Sequence, residues 1–537
     1  MRNIKLLKLI LLFSILFSVN LYSQVGKPPN REMSLARSIF IDNDYQRALK
    51  IYYELKEDFP DDALLNYRIA QCYFALYDDN KARGYLDIAI ENKDESESDY
   101  EFYLLSGQVN HRLNMIDQAL EDYLYFKKNA KDSRDTEVDK YIKQAKKARL
   151  LLADKKNVTV NNLGTHINSE FSDLYPVVSW NNSKLFFTTT RQVKKEQTIN
   201  PVTKEYNESI LVSLRNNDEK WLNPEEIKAD FSVDSGFTLN SFAADHSLAY
   251  LSRIITEEED GGDIYISDFY NNGFFGKPEK IEDTTINTGF YEFSANVNML
   301  NNRIYYINDN PVKVKQNTGI VSSKKNNSGN WGTSRPVKVA NSDYSESFVY
   351  VHPNEEFMIF SSNSDESMGG YDLFISVNKK GKWQKPVNFG YPINSTSNET
   401  GFSMAFDGKT AFIASDRDGE NGKTNIYQVD LNDYFKENLD FSAKIYRVFG
   451  KIKDETETEI QANITIQTPS QKRYRIQTDN QGSFFLILTH GNIYNIKINS
   501  RGYERLKKQI DLTDYTGETE IFLNYGLKKQ DRRWIFW

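Results

Sequence analysis

Five short β-type segments recur along the middle of the chain at nearly constant spacing. They are SILVS around Ile210, DIYIS around Ile264, GIVSS around Ile320, DLFIS around Leu373 and NIYQV around Ile426. The spacings between these five residues are 54, 56, 53 and 53. A fixed period of roughly 40 to 50 residues with several strands per unit is typical of sheets arranged by radial repetition. The middle of the chain is therefore predicted to form repeated β-units, whose stability needs neither a metal nor catalytic chemistry.

Each unit contains more than this one strand. An apolar strand precedes every segment, and these strands include Phe186, Ala249, Tyr305, Ile359 and Phe412. Four segments are followed by an aromatic residue and a proline, namely Trp221 with Pro224, Phe275 with Pro278, Trp331 with Pro336 and Trp383 with Pro386. Because proline lacks the backbone N–H of a strand ladder, it suits an outer strand or the turn before it. This order of inner, middle and outer strands predicts the blades of a β-propeller.

The fifth unit lacks the aromatic and proline element, whereas a spare strand at residues 158–160 precedes the first unit. If the spare strand becomes the outer strand of the last blade, the ring closes and no open sheet edge remains. We therefore predict an all-β propeller of five blades over residues 157–432, with six blades as the alternative.

The first 24 residues differ from the rest of the chain, which has a low mean hydropathy and is 26% charged. Arg2, Lys5 and Lys8 form a basic start, residues 6–17 are apolar, and Ser23 is small. This order predicts a secretory signal peptide over residues 1–23, cut before Gln24. The apolar stretch is too short to favour a spanning helix and no second one follows, so we expect no transmembrane segment after signal removal.

Charge and cysteine content narrow the function classes. Removal of the signal's three cations changes the formal net charge from −8 to −11, which disfavours the phosphate backbone of nucleic acids as a partner. Cys72 is the single cysteine, so no intramolecular disulfide can form. No cysteine lies at the cleavage point to carry a lipid. We expect the mature protein to be soluble or held by partners, and not to be a lipoprotein.

Residues 33–134 carry the pattern of three helical repeats. Small residues recur at Ala36, Ala70 and Gly107, alanines at Ala48, Ala82 and Ala119, and larger residues at Tyr52, Leu86 and Tyr123. The pattern resembles the tetratricopeptide repeat, in which small residues let paired helices approach and a bulky one fills the gap between repeats. Helix-forming sequence over residues 137–154 is predicted to cap an all-α solenoid that spans residues 33–154.

Such a solenoid offers a concave surface to a helix or an extended peptide. Tyr45, Tyr67 and Tyr73 are the candidate partner-binding residues. The alternative for each of them, and for Tyr52 and Tyr53, is packing between helices, which is the usual role of aromatic residues at helical spacing.

Residues 445–525 resemble the carboxypeptidase regulatory-like domain, a small β-sandwich of the transthyretin type. The resemblance rests on Gly450, on Asp479 and Gly482 before Phe484, and on the glycine and tyrosine at 502–503. Alternating apolar residues within 464–466, 484–488 and 494–498 predict one buried face. The resemblance implies a spacer or docking module without peptidase chemistry. Residues 433–444 are predicted to be a linker, and residues 526–537 a tail that packs on the sandwich or binds a partner.

Signatures of catalysis do not stand out. The five histidines show no metal-ligand spacing, and the sequence has no nucleophile elbow, phosphate loop or zinc motif. The nearest approach to a site is an acidic, glycine-rich loop that brings Asp416, Asp418 and Glu420 together, loosely like a calcium loop. Similar loops recur at the same place in the repeat, which favours turns between strands. We predict no enzyme activity, no catalytic residues and no cofactor.

The order of signal peptide, tetratricopeptide solenoid, propeller of the TolB or WD type and regulatory-like sandwich resembles the PorE family of the type IX secretion system. That family continues into an OmpA-like domain that grips peptidoglycan, which this sequence lacks, so direct peptidoglycan binding is not expected. The resemblance implies a non-catalytic scaffold, periplasmic and associated with the outer membrane, that docks envelope proteins of a secretion or gliding complex. Two alternatives are a peptide- or glycan-binding protein that uses the propeller face and, less favoured, a propeller hydrolase with carboxylates from several blades.

Overall fold

The computed structural model describes residues 27–94, 100–130, 134–200, 204–254, 262–310, 318–418, 422–439, 441–467 and 473–530. The predicted signal peptide at residues 1–23 and the last part of the predicted tail, residues 531–537, lie outside these ranges. The chain divides into two compact units, Met1–Ile142 and Lys143–Trp537.

Paired helices make up the first unit. Their bounds are α1 Asn30–Ile41, α2 Tyr45–Asp58, α3 Ala63–Ala75, α4 Asp79–Glu91, α5 Tyr100–Arg112, α6 Ile116–Asn129 and α7 Asp135–Ala153. Asp44, Asp62 and Asp78 cap α2, α3 and α4, because each carboxylate accepts the backbone N–H three residues later. The predicted helical repeats of tetratricopeptide type are present. The predicted solenoid ran to residue 154, whereas the boundary between the units falls inside α7.

Small residues set how closely the helices pair. The repeat alanines Ala36, Ala48, Ala70, Ala82 and Ala119 are fully buried. Gly107 of α5 lies against the ring of Tyr123 on α6, and a Cβ atom at Gly107 would stand 2.5 Å from two ring carbons. Helices that approach this closely need a residue without a side chain at the contact.

In the second unit the last part of α7 is followed, among the residues described, by one strand and five antiparallel sheets. The strand is β1 Thr159–Asn162. Sheet I contains β2 Asp173–Val178, β3 Lys184–Thr189, β4 Ser209–Leu214 and β5 Glu225–Glu226. Sheet II contains β7 Phe237–Phe242, β8 Leu248–Ile254, β9 Gly262–Asp268 and β11 Glu279–Lys280. Two short strands, β6 Lys228–Ala229 and β10 Phe274–Phe275, lie outside this sheet and pair with each other.

The other three sheets repeat this order. Sheet III contains β12 Glu292–Val297, β13 Arg303–Asn308, β14 Gly319–Lys324 and β15 Arg335–Pro336. Sheet IV contains β16 Glu346–Val351, β17 Phe357–Ser362, β18 Asp372–Lys379, β19 Lys382–Trp383 and β20 Val387–Asn388. Sheet V contains β21 Glu399–Met404, β22 Thr410–Ser415 and β23 Asn425–Asp430.

The first strands of the five sheets form a closed ring. In chain order β2, β7, β12, β16 and β21 each contact the next, and β21 contacts β2. Hydrogen bonds also close the ring, because β1 pairs antiparallel with β23 and becomes the fourth strand of sheet V. This is the closure predicted from the spare strand. The result is a propeller-like fold.

Asparagine side chains join the sheets at four of the five junctions. The carboxamide of Asn287 accepts the N–H of Ile264 at 2.8 Å and donates to the carbonyl of the same residue at 2.9 Å. We term this pair of bonds the Asn clasp. It recurs from Asn341 to Ile320, from Asn394 to Leu373 and from Asn168 to Ile426. The clasped residues are four of the five that set the sequence period, so the period marks the contact between successive sheets.

The junction of sheets I and II uses a different contact. Ser232 precedes β7 by five residues, the position of the clasp asparagine before the other first strands. Here β10 pairs in parallel with β6. The rings of Phe186, Phe242, Phe269 and Phe275 pack together with centroids 4.6 to 6.0 Å apart. Aromatic packing therefore replaces the polar clasp at this junction.

A short helix and two further sheets follow sheet V. Their elements are α8 Tyr434–Leu439, β24 Ile445–Asp454, β25 Asn463–Gln467, β26 Arg473–Gln477, β27 Ser483–Thr489, β28 Ile493–Asn499, β29 Leu506–Asp511 and β30 Glu520–Leu527. The strand orders are β27-β24-β30 and β26-β25-β28-β29. Both sheets contribute to one core, which contains Tyr446, Ile464 and Leu486.

Part of the segment 433–444, predicted as a linker, packs in a core. Tyr434 and Phe435 of α8 are buried at 4% and 3% exposure. The Tyr434 ring stacks on Phe389 at 5.0 Å, and the Phe435 ring lies 5.2 Å from Phe357. This correction has a simple cause: the two aromatic rings bury more favourably against sheets IV and V than in water.

The contact between Gly107 and Tyr123 predicts opposite effects of two glycine substitutions. Gly107→Ala should destabilise the first unit by a net of roughly 1 to 3 kcal/mol, because the clash with the Tyr123 ring outweighs the gain in helix propensity of about 1 kcal/mol. Gly84→Ala is the matched control, because Gly84 lies inside α4 and a Cβ atom there would have no neighbour within 4 Å. That change should stabilise by roughly 0.5 to 1 kcal/mol. Urea unfolding followed by helical circular dichroism measures both, and equal effects would contradict the close approach at Gly107.

Candidate functional site

Four sheets of the ring hold a buried carboxylate at the same place. Asp173, Glu292, Glu346 and Glu399 begin β2, β12, β16 and β21, and each is at most 1% exposed. Each carboxylate accepts the backbone N–H and the hydroxyl of the Ser or Thr four residues earlier, at 2.5 to 3.1 Å. That Ser or Thr directly follows the clasp asparagine. The acids therefore hold the turn that places the Asn clasp.

The further partners of these carboxylates differ between sheets. Asp173 pairs with Arg191 at 2.6 Å, and Glu399 pairs with Arg417 at 2.9 Å. Glu346 instead accepts the Ser362 hydroxyl at 3.0 Å, and its Oε2 atom is buried without a hydrogen-bond partner. Burial without a cation raises the pKa of Glu346 to about 7.

The C-terminal sheets cover one end of the ring. Each turn between the first and second strand of a sheet contacts them. From sheet I to sheet V the contacts are Arg447 over the Trp180 ring, Arg447 to the Asp245 carbonyl, the Ile487 N–H to the Met299 sulfur, the Tyr474 hydroxyl to the Asn354 carbonyl, and the Ile445 N–H to the Phe406 carbonyl. This end is therefore occupied within the chain, and a ligand of the ring has to use the opposite end.

At the opposite end a cavity of about 800 Å³ lies where sheets I and V meet. We term it the seam cavity. Its lining includes two aromatic residues, two cations and two acids, namely Phe171, Tyr206, Arg191, Lys423, Glu170 and Asp418. Serine, threonine, asparagine and glutamine side chains complete the wall. The cavity is large enough for a small oligomeric ligand.

The lining of the seam cavity is polar with one aromatic side. The Phe171 and Tyr206 rings meet edge to face with centroids 5.5 Å apart. Arg191 is paired with Asp173 as above, and Lys423 is paired with Glu205 at 2.8 Å. Because the cations already have partners, the cavity does not present free positive charge. Aromatic faces beside fixed polar groups suit a neutral, hydroxyl-rich or amide-rich ligand.

Of the residues that line the seam cavity, only Asp418 was singled out from the sequence, as a weak calcium candidate. The sequence does contain a signal for Arg191, which is a repeated spacing of acid and arginine. Arg191 follows Asp173 by 18 residues, and Arg417 follows Glu399 by the same interval. The cavity itself had no local signal, because its two walls, residues 162–206 and residues 418–425, are far apart in the sequence.

Two of the three weak calcium candidates, Asp416 and Asp418, accept hydrogen bonds from neighbouring residues. The carboxylate of Asp416 accepts both the backbone N–H and the side-chain amide of Asn398, each at 2.7 Å, and burial raises its pKa. Asp418 accepts the Tyr427 hydroxyl at 3.2 Å, and Glu420 lies outside the described residues. Within the part of the chain that the structure describes, no three His, Cys, Asp or Glu side chains are grouped to hold a metal ion.

The tyrosines predicted to bind a partner lie in different environments. Tyr67 is buried, its ring is 4.7 Å from Phe102, and its hydroxyl accepts the Gln71 amide at 3.0 Å. Tyr45 is half-buried and packs on Phe40 with centroids 5.2 Å apart.

Tyr73 belongs to a cluster of three tyrosines on α2, α3 and α4. Its hydroxyl lies 2.6 Å from that of Tyr53, which also lies 2.9 Å from the hydroxyl of Tyr85. The Tyr73 and Tyr85 rings stack at 5.7 Å. The three candidates are thus separated on the helices and do not form one aromatic patch with each other.

No family model matches the sequence, and no curated protein matches it. Part of the chain is similar to the first tetratricopeptide-repeat domain of Spaghetti bound to an HSP90 peptide, with 17% identity and a TM-score of 0.20 over 22% of this chain and 90% of that one. A solved glycoside hydrolase is 8% identical, with a TM-score of 0.36 over 53% and 94% of the two chains. The β-xylosidase/α-arabinofuranosidase CoXyl43, from a compost microbial metagenome, is 11% identical, with a TM-score of 0.34 over 50% and 92%. At these values the likenesses do not bear on what this chain binds or does.

The described helices were also compared with the length and apolarity that a bilayer requires. None of them is long and apolar enough to cross a membrane.

The environment of Glu346 predicts how stability depends on pH. Its folded pKa of about 7 exceeds the ordinary value of 4.5, so the native state binds the proton more tightly than the unfolded state. Stability from this group is complete below pH 4.5 and falls as the pH rises toward 7, by about 3 kcal/mol in total. Glu346→Gln removes this loss and should raise the free energy of unfolding at pH 8 relative to the parent, with little difference at pH 4.5. Guanidinium unfolding at both pH values measures it.

Glu399→Gln is the matched control, since it changes the equivalent acid in sheet V. It removes the charge that pairs with Arg417, whose side chain is 13% exposed, and leaves a buried cation without its partner. We expect a loss of roughly 3 to 5 kcal/mol at pH 8. A loss of stability in Glu346→Gln at pH 8 as large as that in the control would contradict the assigned environment of Glu346.

Proposed function

We propose that this chain is a non-catalytic scaffold of the cell envelope. It acts in the periplasm in association with the outer membrane and docks components of a secretion or gliding machinery of the type IX kind. In this proposal the helices are a tetratricopeptide solenoid, the five sheets are blades of a five-bladed propeller, and the C-terminal sheets are a β-sandwich. The order of these modules in the PorE family supports the assignment.

The observation that carries the non-catalytic part is the role of the ring's carboxylates. Glycoside hydrolysis needs two carboxyl groups that flank a cleft open to the substrate. Asp173, Glu292, Glu346 and Glu399 are instead buried and bonded within the turns that build the ring. These carboxylates stabilise the fold and are not exposed to a substrate. This favours a role in which the protein binds partners without catalysis.

Two kinds of surface support docking. Helical repeats of tetratricopeptide type are protein-interaction modules that bind peptides. The C-terminal sheets occupy one end of the ring, and the other end, where α7 contacts residues 363–366 of sheet IV, carries the seam cavity. Several weak binding faces on one chain raise the effective concentration of the components they hold.

Crosslinking in cells tests the scaffold. The tagged full-length protein is crosslinked in intact cells and purified from envelopes, and its partners are identified by mass spectrometry. We expect outer-membrane components of a secretion or gliding machinery, enriched over a tagged periplasmic control protein. Recovery of the protein alone in the soluble periplasmic fraction would overturn the proposal.

The seam cavity favours a second candidate function, the binding of a peptide or glycan. Its aromatic side, its paired cations and the acids Glu170 and Asp418 match a ligand with many hydroxyl or amide groups and no negative charge. The two functions are compatible, because a scaffold with a ligand-binding ring can also respond to what it binds.

Ligand binding at the seam cavity predicts the effect of three substitutions. An array of neutral oligosaccharides and peptides identifies a ligand, and Phe171→Ala and Tyr206→Ala should each weaken its binding by roughly tenfold or more, since each removes a stacking face. Tyr270→Ala is the control, because Tyr270 is 50% exposed and lies outside the cavity lining. Isothermal calorimetry measures the affinities. Equal affinity in all three variants would contradict binding in the cavity, and release of cleaved sugar would favour the hydrolase.

A further inference from the structure

An arginine of sheet V binds at a well-defined place beside its buried acid. Arg417 donates from Nη2 to Glu399 at 2.9 Å and from Nε to the Ser415 hydroxyl at 3.1 Å. Its guanidinium also donates to the backbone carbonyls of Pro392 and Ile393, the two residues before the clasp asparagine. One planar cation therefore neutralises the acid and satisfies the polar groups of the turn next to it.

Sheet I repeats this geometry. Arg191 donates to Asp173 at 2.6 Å, to the Thr189 hydroxyl at 3.0 Å and to the Ile167 carbonyl at 2.6 Å. Ile167 directly precedes the clasp asparagine of this junction. Two sheets of the ring thus show the same guanidinium site, made of a carboxylate, a hydroxyl and a backbone carbonyl.

Sheet IV has the same frame with a different residue in place of the arginine. Its residues precede their equivalents in sheet V by the 53 residues of the sequence period. Glu346 and Ser362 stand where sheet V has its acid and its hydroxyl, and Ser364 stands at the place of Arg417. The Glu346 Oε2 atom is buried and accepts no hydrogen bond from the residues that the structure describes. The acid of sheet IV therefore lacks the cation that its equivalents in sheets I and V have.

A cavity of about 410 Å³ lies where sheet V has the Arg417 side chain. We term it the sheet IV cavity. Its lining includes Ser364, Ser362 and the segment 339–342, which contains the equivalents of both carbonyl groups that accept from Arg417. Ser342 and Ser362 donate to Oε1 of Glu346 at 2.7 and 3.0 Å, so the unneutralised carboxylate lies next to this wall.

The rest of the sheet IV cavity suits an alkyl chain that carries a cation. Phe360 and Phe374 line it, and their rings stack with centroids 5.8 Å apart. Its charged residues are Lys147, Asp365, Glu366 and Lys385. Lys147 is paired with Glu366 at 2.7 Å, and Asp365 is paired with a second lysine of α7 at 2.8 Å. The two acids at the rim are thus neutralised within the chain, whereas Glu346 is not.

We propose that the sheet IV cavity binds the guanidinium group of an arginine from outside the chain, at the position that Arg417 occupies in sheet V. A guanidinium has five N–H donors in one plane, enough for Glu346, the Ser362 hydroxyl and the two turn carbonyls together. The ammonium group of lysine has three donors and does not match this planar arrangement. The site is separate from the seam cavity and does not depend on the proposed scaffold function.

The arginine can be a free amino acid or a residue of a peptide. Isothermal calorimetry with the full-length protein compares free arginine with a pentapeptide that carries arginine between blocked glycine ends. The measurements are made at pH 8, where most of the Glu346 carboxyl is ionised because its pKa is about 7. The same two probes are prepared with citrulline, which keeps the shape of arginine without its charge, and with lysine. Tighter binding of the free amino acid indicates a small ligand, and tighter binding of the peptide indicates a protein segment.

We expect arginine to bind at least about tenfold more tightly than citrulline or lysine in the preferred probe. Glu346→Gln should weaken arginine binding by about tenfold or more, because it removes the buried charge and keeps the side-chain shape. Glu226→Gln is the matched control, since Glu226 is exposed on β5 and lies outside the cavity lining. It should leave the affinity unchanged.

Ser364→Arg tests the site without any ligand. It places an arginine at the equivalent of position 417, so it should prevent binding of the arginine probe and raise the melting temperature at pH 8. Ser364→Met is the matched control, because it adds a long side chain without a charge. It should also reduce binding but should not raise the melting temperature. The gain from Ser364→Arg should disappear when Glu346→Gln is present in the same chain.

The guanidinium site has several independent ways to fail. No binding of either arginine probe by the parent, equal binding of arginine and citrulline, or equal affinity in Glu346→Gln and the parent would each overturn it. A melting temperature that falls as far in Ser364→Arg as in Ser364→Met would contradict the assigned position of the guanidinium. The envelope crosslinking decides the scaffold separately, because neither result requires the other.

Discussion

Sheets arranged around a ring have to satisfy the backbone groups at the places where one sheet ends and the next begins. In this chain the Asn clasp does so, because one carboxamide supplies both the acceptor for a strand N–H and the donor for its carbonyl. A clasp that loses its side chain leaves two buried backbone groups unpaired, and such groups are costly. The buried acid that fixes the turn beside each clasp extends the constraint to the first strand. Between sheets I and II the clasp is missing, and four phenylalanine rings pack together at the junction instead.

Much of this architecture could be predicted from the sequence. The period of the strands, the proline at four of the outer strands and the spare strand at residues 158–160 report local requirements of chain geometry, and the pairing of β1 with β23 follows from them. The small residues of the helical repeats could also be predicted, because closely paired helices need a small residue where they touch. Gly107, which lies against Tyr123, is such a residue. The segment 433–444 could not be predicted as packed, since its burial depends on Phe357 and Phe389, which come from distant sheets.

The candidate sites were harder to predict for the same reason. The seam cavity needs residues 162–171 to lie beside residues 418–425, and only ring closure brings them together. The sequence pointed to tyrosines on the helices because aromatic residues are conspicuous.

Ring closure by β1 and β23 joins positions far apart in the chain, and the nearby bond between Asn168 and Ile426 spans 258 residues. Bringing such distant positions together costs about 5 kcal/mol of chain entropy, which a covalent link across the seam would largely remove. The other neighbouring sheets follow one another directly along the chain. Sheets I and V, which meet at the seam cavity, are the neighbours that are not consecutive in sequence. A circularly permuted chain, with its ends placed between sheets III and IV, could therefore build the same ring in a different order of synthesis.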